Sequence, residues 1–415
     1  MSLIYDTAIA IYVAIIRIAA LFNPKARQWV VGRKHIFRKI KVALNGNTSP
    51  VIWVHCASLG EFEQGRPVIE AIREQHPDTK IFLTFFSPSG FEIRKNYQGA
   101  DYIFYLPADM PYNASRFIRL VSPSLVVIVK YEFWFNYLHL LRREQIPTLI
   151  ISAIFRPSQH FFRWYGGWFR KNLRGISHFF VQSDQSAQLL RSIGIAQVTV
   201  SGDTRFDRVA AIAEKCKSFP LIEQYRGNGR LFLAGSTWPA DEELIKTLCQ
   251  SNQGFKYIIA PHEVHEEHIR YIEQLFGGQC IRYSKATPEN ISKTNILIID
   301  SIGILSNLYQ YAYIAYIGGA FGKGLHNILE AATFGKPVIF GPNYTKFKEA
   351  VDLVELGGVF SIHNAGELIH TANQLSMDET VYMKASGQCS GYVALMRGAT
   401  SLILLEIHKH LSLKR

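Results

Sequence analysis

From residue 51 onward, short apolar runs rich in β-branched and aromatic residues alternate with segments of helical period, and this alternation constrains the fold more than any other feature. The runs are VIWVH at 51–55, IFLTFF at 81–86, YIFYL at 102–106, LVVIV at 125–129, TLIIS at 148–152 and FFVQ at 179–182. Strands of a parallel sheet are covered on both faces, so they read as continuous apolar runs separated by helical crossovers. After a polar interval at 215–230 the pattern restarts with LFLAG at 231–235, YIIA at 257–260, ILIID at 296–300, YIAYIGG at 313–319 and PVIFG at 337–341. A chain of 415 residues is too long for one ordinary core. The expected fold class is therefore α/β, with two Rossmann-like domains facing a cleft, and ligands are sought in the loops after the strands. No tandem repeat and no low-complexity segment interrupts the pattern.

A hydrophobic share of 48% against 19% charged excludes a disordered chain. Cys56, Cys216, Cys249, Cys280 and Cys389 are an odd set without a C-x-x-C pair, which argues against a disulfide framework or a zinc ribbon. The net charge of +12 favours anionic partners. It is concentrated: residues 1–50 hold eight Lys/Arg against Asp6 alone, and residues 145–183 hold five against none. A protein tracking a long nucleic acid would spread its basic residues along a groove, so no nucleic-acid partner is expected and the two patches suggest contact with a surface.

The first patch follows an apolar stretch, Leu3 to Phe22, broken by Asp6 and Arg17, whose uncharged core from Thr7 to Ile16 is short for a membrane span. With Lys25, Arg27, Arg33, Lys34, Arg38, Lys39 and Lys41 behind it, the stretch reads as an interfacial anchor on the cytoplasmic side, or else as a terminal helix packed on its own domain. The second patch, Phe155 to Arg174, interleaves aromatic and basic residues. Trp164, Tyr165 and Trp168 suit a headgroup boundary, base stacking on a single strand, or a buried helix with one solvated face.

Four loops have the composition of ligand sites. Strand 51–55 runs into Ser58-Leu59-Gly60-Glu61 ahead of a helix expected over 64–74. Glu61 fits either a general base or a carboxylate that merely suits the helix dipole. Ser87-Pro88-Ser89-Gly90 follows the next strand and could cap a helix or bind a phosphate or sugar hydroxyl. Gly235-Ser236-Thr237 resembles a helix entrance for an anionic phosphate without being a Walker loop. The stretch 318–330, glycine-rich and ending in Asn327-Ile328-Leu329-Glu330, lets backbone approach a ligand and places Asn327 and Glu330 on one helix face. A dinucleotide fingerprint and a D-x-D pair are both absent, so neither a nicotinamide cofactor nor a metal is expected, and His262, His265 and His268 read as a solvated helix face.

Taken in order, ASLGEFEQG, FFSPSG, YLPADMP, LVVIVKYEFW, ISAIFR, VSGDTRFDR, AGST, IGGAFGKGLHNILEAA and FGPN resemble the lipid A Kdo transferases, which move 3-deoxy-D-manno-octulosonate (Kdo) from its CMP ester onto lipid A precursors. The resemblance implies the two-Rossmann GT-B glycosyltransferase architecture, with a C-terminal helix crossing back to the first domain. It implies an anchor and basic linker at 1–34, an acceptor domain at 35–214, a CMP-Kdo domain at 228–377 and C-terminal helices at 378–415. By resemblance Glu61 is the proton acceptor and Arg205 stabilises the transition state. Pro261 and His262, Ile302-Gly303-Ile304 and Asn327 to Glu330 line the CMP pocket beside Gly235 to Thr237, and Ser87 to Gly90 with Arg156 lie on the acceptor side.

Two departures stand out. Where relatives read E-T-E-x-W, this chain has Lys130-Tyr131-Glu132-Phe133-Trp134, which leaves Glu132 as the acid, and where they read P-R-H it has Pro261-His262-Glu263. The implied function is an inverting, metal- and cofactor-independent transferase on the cytoplasmic face of the inner membrane, with CMP-Kdo, a lipid A precursor and the anionic leaflet as partners. The rivals are a same-fold UDP-sugar transferase or epimerase, and a basic membrane-associated nucleic-acid-binding protein without catalysis.

Overall fold

The computed structural model describes residues 2–252, 254–322 and 324–412, so Lys323 of the glycine-rich stretch and the last three residues of the C-terminal segment lie outside the described residues. The chain divides into two compact units, residues 1–207 with 397–415, and residues 208–396.

The first unit contains β1 (Val51–Cys56), β2 (Lys80–Phe85), β3 (Tyr102–Tyr105), β4 (Leu125–Val129), β5 (Thr148–Ala153), β6 (His178–Val181) and β7 (Val198–Val200). They form an all-parallel sheet in the order β3-β2-β1-β4-β5-β6-β7. Side-chain alternation along each strand feeds two cores. Val51 and Trp53 enter one with Phe82, Val126 and Ile150, while Ile52, Val54 and Cys56 enter the other with Leu83 and Val127. That second core also receives Ile403, Leu404 and Ile407 from the terminal helix Ala399–Ser412. The Asp207 carboxylate accepts the amides of Gly398 and Thr400 at the start of this helix, where backbone donors lack partners within the helix.

The second unit contains β8 (Arg230–Thr237), β9 (Phe255–Pro261), β10 (Cys280–Arg282), β11 (Ile296–Ile298), β12 (Ile314–Ile317), β13 (Val338–Phe340) and β14 (Val359–Ser361), in the order β10-β11-β9-β8-β12-β13-β14. The expected α/β class with two parallel sheets is what the chain adopts. Three strands, β7, β10 and β14, have no counterpart among the apolar runs. Each is three residues long and lies at a sheet edge, where incomplete burial removes the apolar run that marks an inner strand.

At the N-terminus α1 (Ser2–Ala19), α2 (Pro24–Gly32) and α3 (Ile36–Ala43) precede the sheet. By length and composition α1 could cross a membrane, which the count of ten uncharged residues understated, and none of its residues is buried. Its first turns are nevertheless fastened to the domain. The Tyr5 hydroxyl donates to Asp109 at 2.6 Å, Asn136 Nδ2 donates to Asp6 at 2.8 Å, and the Tyr5 ring meets Phe135 edge-on. Asp109 also takes the amides of Asn136 and Tyr137, and burial pushes its carboxyl up to about 6.

The patch at 155–174 does not act as one surface. Phe155 and Phe161 are buried, and Trp168 packs on Tyr5 and Phe135, which for Trp168 favours the helix with one solvated face over the headgroup boundary. Trp164, 91% exposed, and Tyr165 remain at the surface.

Candidate active site

In the first unit the strand order reverses between β1 and β4, so the loops leaving these two strands diverge and open a crevice at their carboxyl ends. Glu61 follows β1 and Glu132 follows β4. The helix after β1, α4, runs from Leu59 to Gln75, beginning five residues before the expected start, which places Glu61 in its first turn. Ser58 is the N-cap and its hydroxyl accepts the Glu61 amide, while the Glu61 carboxylate turns back to accept the Ala57 amide. This reciprocal arrangement satisfies donors that a helix start would leave open. Capping and proton transfer are therefore compatible roles for one carboxylate: the amides fix its position at the crevice.

Burial pushes the Glu61 carboxyl up, against the Ala57 amide and the nearby Lys130 ammonium, which pull it down. Glu132 behaves differently. Burial first, and then the charge of Glu61, push it up to about 8. Two like charges at adjacent loops resist simultaneous ionisation, so the charge of Glu61 favours the protonated form of Glu132. The Lys130 ammonium favours the ionised form of Glu61.

Because Glu132 binds its proton more tightly in the folded chain than the ordinary value of about 4.3 allows in the unfolded one, its ionisation destabilises the fold progressively as pH rises from there to about 8. Glu132→Gln removes that titration. Calorimetry should show little Tm difference from the parent near pH 4 and a difference in favour of the variant that widens until about pH 8. A difference independent of pH would contradict the protonated state.

The turn carrying Glu132 is held from beneath by groups that sequence reasoning missed. Trp134 Nε1 donates to His55 Nε2 at 3.1 Å, and His55 Nδ1 pairs with the Thr84 hydroxyl at 2.8 Å. Fully buried, His55 is pushed down to about 3 and is neutral, so its Nδ1 carries the proton and its Nε2 accepts. Trp134 also packs on Phe86, with ring centroids 4.5 Å apart. Phe86 in turn contacts the Arg33 guanidinium, which donates to the carbonyls of Phe86 and Leu106.

Arg205 begins the helix Arg205–Glu214, and its Nε donates to Asp203 at 2.9 Å. Asp203 also accepts from Gln64 of α4 at 2.8 Å and from Gln182 at 3.0 Å, and the Thr204 hydroxyl donates to the Gln64 carbonyl. Asp203 thus ties Arg205 to the same helix that carries Glu61. Its position two residues before Arg205 was a visible signal, whereas Gln64, 139 residues away from it, had none. Ser87 caps the helix Pro88–Arg94 and its hydroxyl meets that of Ser89 at 2.9 Å, with Gly90 buried behind them, and Arg156 is exposed after β5. All these loops leave the same edge of the sheet.

In the second unit the strand order reverses between β8 and β12. Gly235 lies near the end of β8 where a Cβ would overlap the Tyr309 hydroxyl, and Ser236 adopts a left-handed φ of 54°. Asp241 accepts the amides of Trp238 and Gly319 and the Tyr316 hydroxyl, clamping the loop after β12 against the end of β8. His262, after Pro261, stacks on His326 with centroids 4.2 Å apart. Trp238 Nε1 donates to His326 Nε2, and burial pushes His326 down to about 4.

The three-histidine reading needs correction. His268 is buried and bonded to Glu242, His265 is the exposed N-cap of the helix Glu266–Leu275, and His262, exposed ahead of that helix, stacks on His326. Asn327 Nδ2 donates to Glu330 at 3.2 Å, and desolvation pushes the Glu330 carboxyl up against the opposing pull of Arg208. Ile328 and Leu329 are core side chains, so only their backbone can face a ligand, while Ile302 is 85% exposed beside Gly303, whose φ is 93°, and Ile304.

Gly235→Ala should lower the midpoint of urea unfolding by about 1–3 kcal/mol equivalent, the usual cost of overpacking. Adding Tyr309→Phe removes the hydroxyl that the new methyl meets and should recover part of the loss. No recovery would place the strain elsewhere.

Residues 33–208 match the family model described as 3-deoxy-D-manno-octulosonic-acid transferase (kdotransferase), a stretch that includes Glu61, Glu132 and Arg205. A transferase of that name from Haemophilus influenzae is 26% identical over 85% of each chain, and one from Aquifex aeolicus is 27% identical over 79% of this chain and 87% of its own. The chain is thus similar to the Kdo transferases over most of its length. Among solved structures, the UDP-GlcNAc 2-epimerase from Neisseria meningitidis bound to UDP-GlcNAc superposes with a TM-score of 0.60 at 18% identity, covering 87% of this chain and all of that one. MurG from Acinetobacter baumannii gives 0.54 at 11% identity over 87% and 99%. At these identities the likeness concerns fold alone, and with the two parallel sheets it places the chain in the GT-B architecture.

Proposed function

We propose that this chain transfers Kdo from CMP-Kdo to a lipid A precursor, with inversion, in lipopolysaccharide biosynthesis. The single observation that supports its chemistry best is the carboxyl pair at the β1/β4 crevice, with Glu61 fixed by the Ala57 amide and Glu132 pushed up to about 8 by burial and the charge of Glu61. Glu61 takes the proton of the acceptor hydroxyl as that oxygen bonds to the anomeric carbon, and the bond from that carbon to the CMP phosphate oxygen breaks, so that CMP leaves with both electrons of the bond. Glu132, holding its proton, donates a hydrogen bond within the crevice and leaves Glu61 as the base. Arg205, oriented by Asp203, offsets charge growing on the departing phosphate. Gly235 to Thr237, Pro261 and His262, Ile302 to Ile304 and Asn327 to Glu330 hold the donor, and the loops at 87–90 and Arg156 serve the acceptor.

We also place the chain at the cytoplasmic face of the inner membrane. Ile4, Ile11, Ile15, Ile18 and Phe22 recur at helical spacing and are all exposed, and Tyr5 and Asp6 fasten the other side of α1 to the domain, which favours a helix lying in the interface over one that leaves the domain to cross.

The test is incubation of purified protein with CMP-Kdo and a tetraacylated lipid A precursor, with mass spectrometry of the lipid. A gain of one or more Kdo units is expected, and an unmodified lipid with donor consumed from a UDP-sugar instead would overturn the reading. Removing residues 2–22 should leave a folded chain that pellets less with anionic vesicles.

A further inference from the structure

Between α1, α2 and α3 and the loop after β3 lies a recess of about 610 Å³ within the first unit. Ala10 and Val13 of α1, Val30, Ile36, Ala108 and Met110 make it largely apolar. At its border stand Arg17, Lys34 and His35. Arg17 and Lys34 form no hydrogen bond or ion pair through their side chains among the described residues, and the nearest acids of α1 and the loop, Asp6 and Asp109, are already engaged with Asn136 and Tyr5. Ala10, Val13 and Arg17 share one face of α1, distinct from the outward stripe Ile4, Ile11, Ile15 and Ile18. The helix therefore offers one apolar face outward and borders an apolar recess with another, and uncompensated cations stand where the two meet.

We propose that this recess holds one acyl chain of an anionic phospholipid drawn from the leaflet, with the lipid phosphate at Arg17 and Lys34. The proposal rests on the membrane reading above and adds a defined lipid site to it. An apolar interior with a cationic border complements a lipid whose tail is uncharged and whose head is an anion. An extended peptide is a poorer occupant, because it would carry backbone amides into a space with few partners: the Asn113 side chain there already donates to the Ala108 carbonyl. The volume falls in the range of small-ligand cavities, which suits a single chain better than a whole multi-acylated lipid.

Full-length protein would be bound to vesicles containing phosphatidylglycerol with a photoactivatable diazirine in one acyl chain, irradiated, and the adducts mapped by mass spectrometry. The expected adducts fall on 10–17 and 107–113 as well as on the outward stripe. Ala108→Trp, and independently Val13→Phe, should reduce recess adducts by roughly tenfold by filling the space, with vesicle pelleting and melting temperature near those of the parent. Arg17→Glu with Lys34→Glu, both at exposed positions, should reduce recess adducts by roughly fivefold per cation lost.

Adducts confined to the outward stripe, with normal pelleting, would overturn the recess and leave the interfacial helix standing. Equal recess labelling from a phosphatidylcholine probe would overturn the role of the cations. Absence of pelleting would overturn the membrane reading and the recess together. A lipid-free dimer in sedimentation velocity that shields residues 10–17 would replace the lipid by a second copy of the chain.

Discussion

Glu61→Gln should lower Kdo transfer by roughly 100-fold or more, the scale expected when a general base is lost, with CMP-Kdo affinity near that of the parent. The substitution is close to isosteric, and its amide oxygen can still accept the Ala57 amide, so the start of α4 should remain capped. What disappears is the proton acceptor. Glu61→Ala removes the cap as well, and should add a loss of stability of about 1 kcal/mol. Comparing the two separates the structural share of this carboxylate from the chemical one: turnover by calorimetric titration and lipid mass spectrometry, stability by urea denaturation. Transfer by Glu61→Gln close to the parental rate would remove Glu61 from the mechanism. The pH profile offers a further check, since the Glu132 carboxyl, pushed up to about 8, gains its charge beside Glu61 only in the alkaline range.

Arg205→Ala is expected to cost about 100-fold in turnover, with a smaller change in donor affinity, because a preorganised donor at a site of developing charge acts mainly in the transition state. Arg205→Lys keeps the charge and cannot reproduce the guanidinium bond to Asp203, so it should fall between the two. Asp203→Asn should also slow transfer, by loosening Arg205 and the Gln64 and Gln182 amides that share the carboxylate. If Arg205→Ala weakened donor binding and left kcat intact, the residue would be a ground-state contact with no part in the transition state.

The first unit shows where legibility in the sequence stops. Inner strands such as β1 and β4 were visible as apolar runs because both of their faces are covered. The edge strands β7, β10 and β14 were not, since three half-covered residues carry no period. Glu61 was visible as a carboxylate in a small-residue turn, but its helix begins earlier than the apolar pattern suggests, because Ser58 caps it ahead of the first buried apolar side chain, Phe62. Likewise His268 reads from spacing as one of three similar histidines, and only its burial against Glu242 distinguishes it.

From the sequence alone came the two parallel sheets, the candidate loops at their carboxyl ends and the separation of the excess charge into two patches. These follow from local rules: a doubly covered strand must be apolar along its length, and a loop that approaches a ligand needs small residues. Tertiary structure alone decided which groups share an environment. Glu61 and Glu132 influence each other because β1 pairs with β4, a neighbour 70 residues or more along the chain, and burial together with that proximity pushes the Glu132 carboxyl up. The bond from Gln64 to Asp203, the neutral His55 under Trp134, and the stack of His262 on His326 arise in the same way. Protonation and hydrogen bonding depend on what lies within a few ångströms, and in a parallel sheet that is determined by strand order.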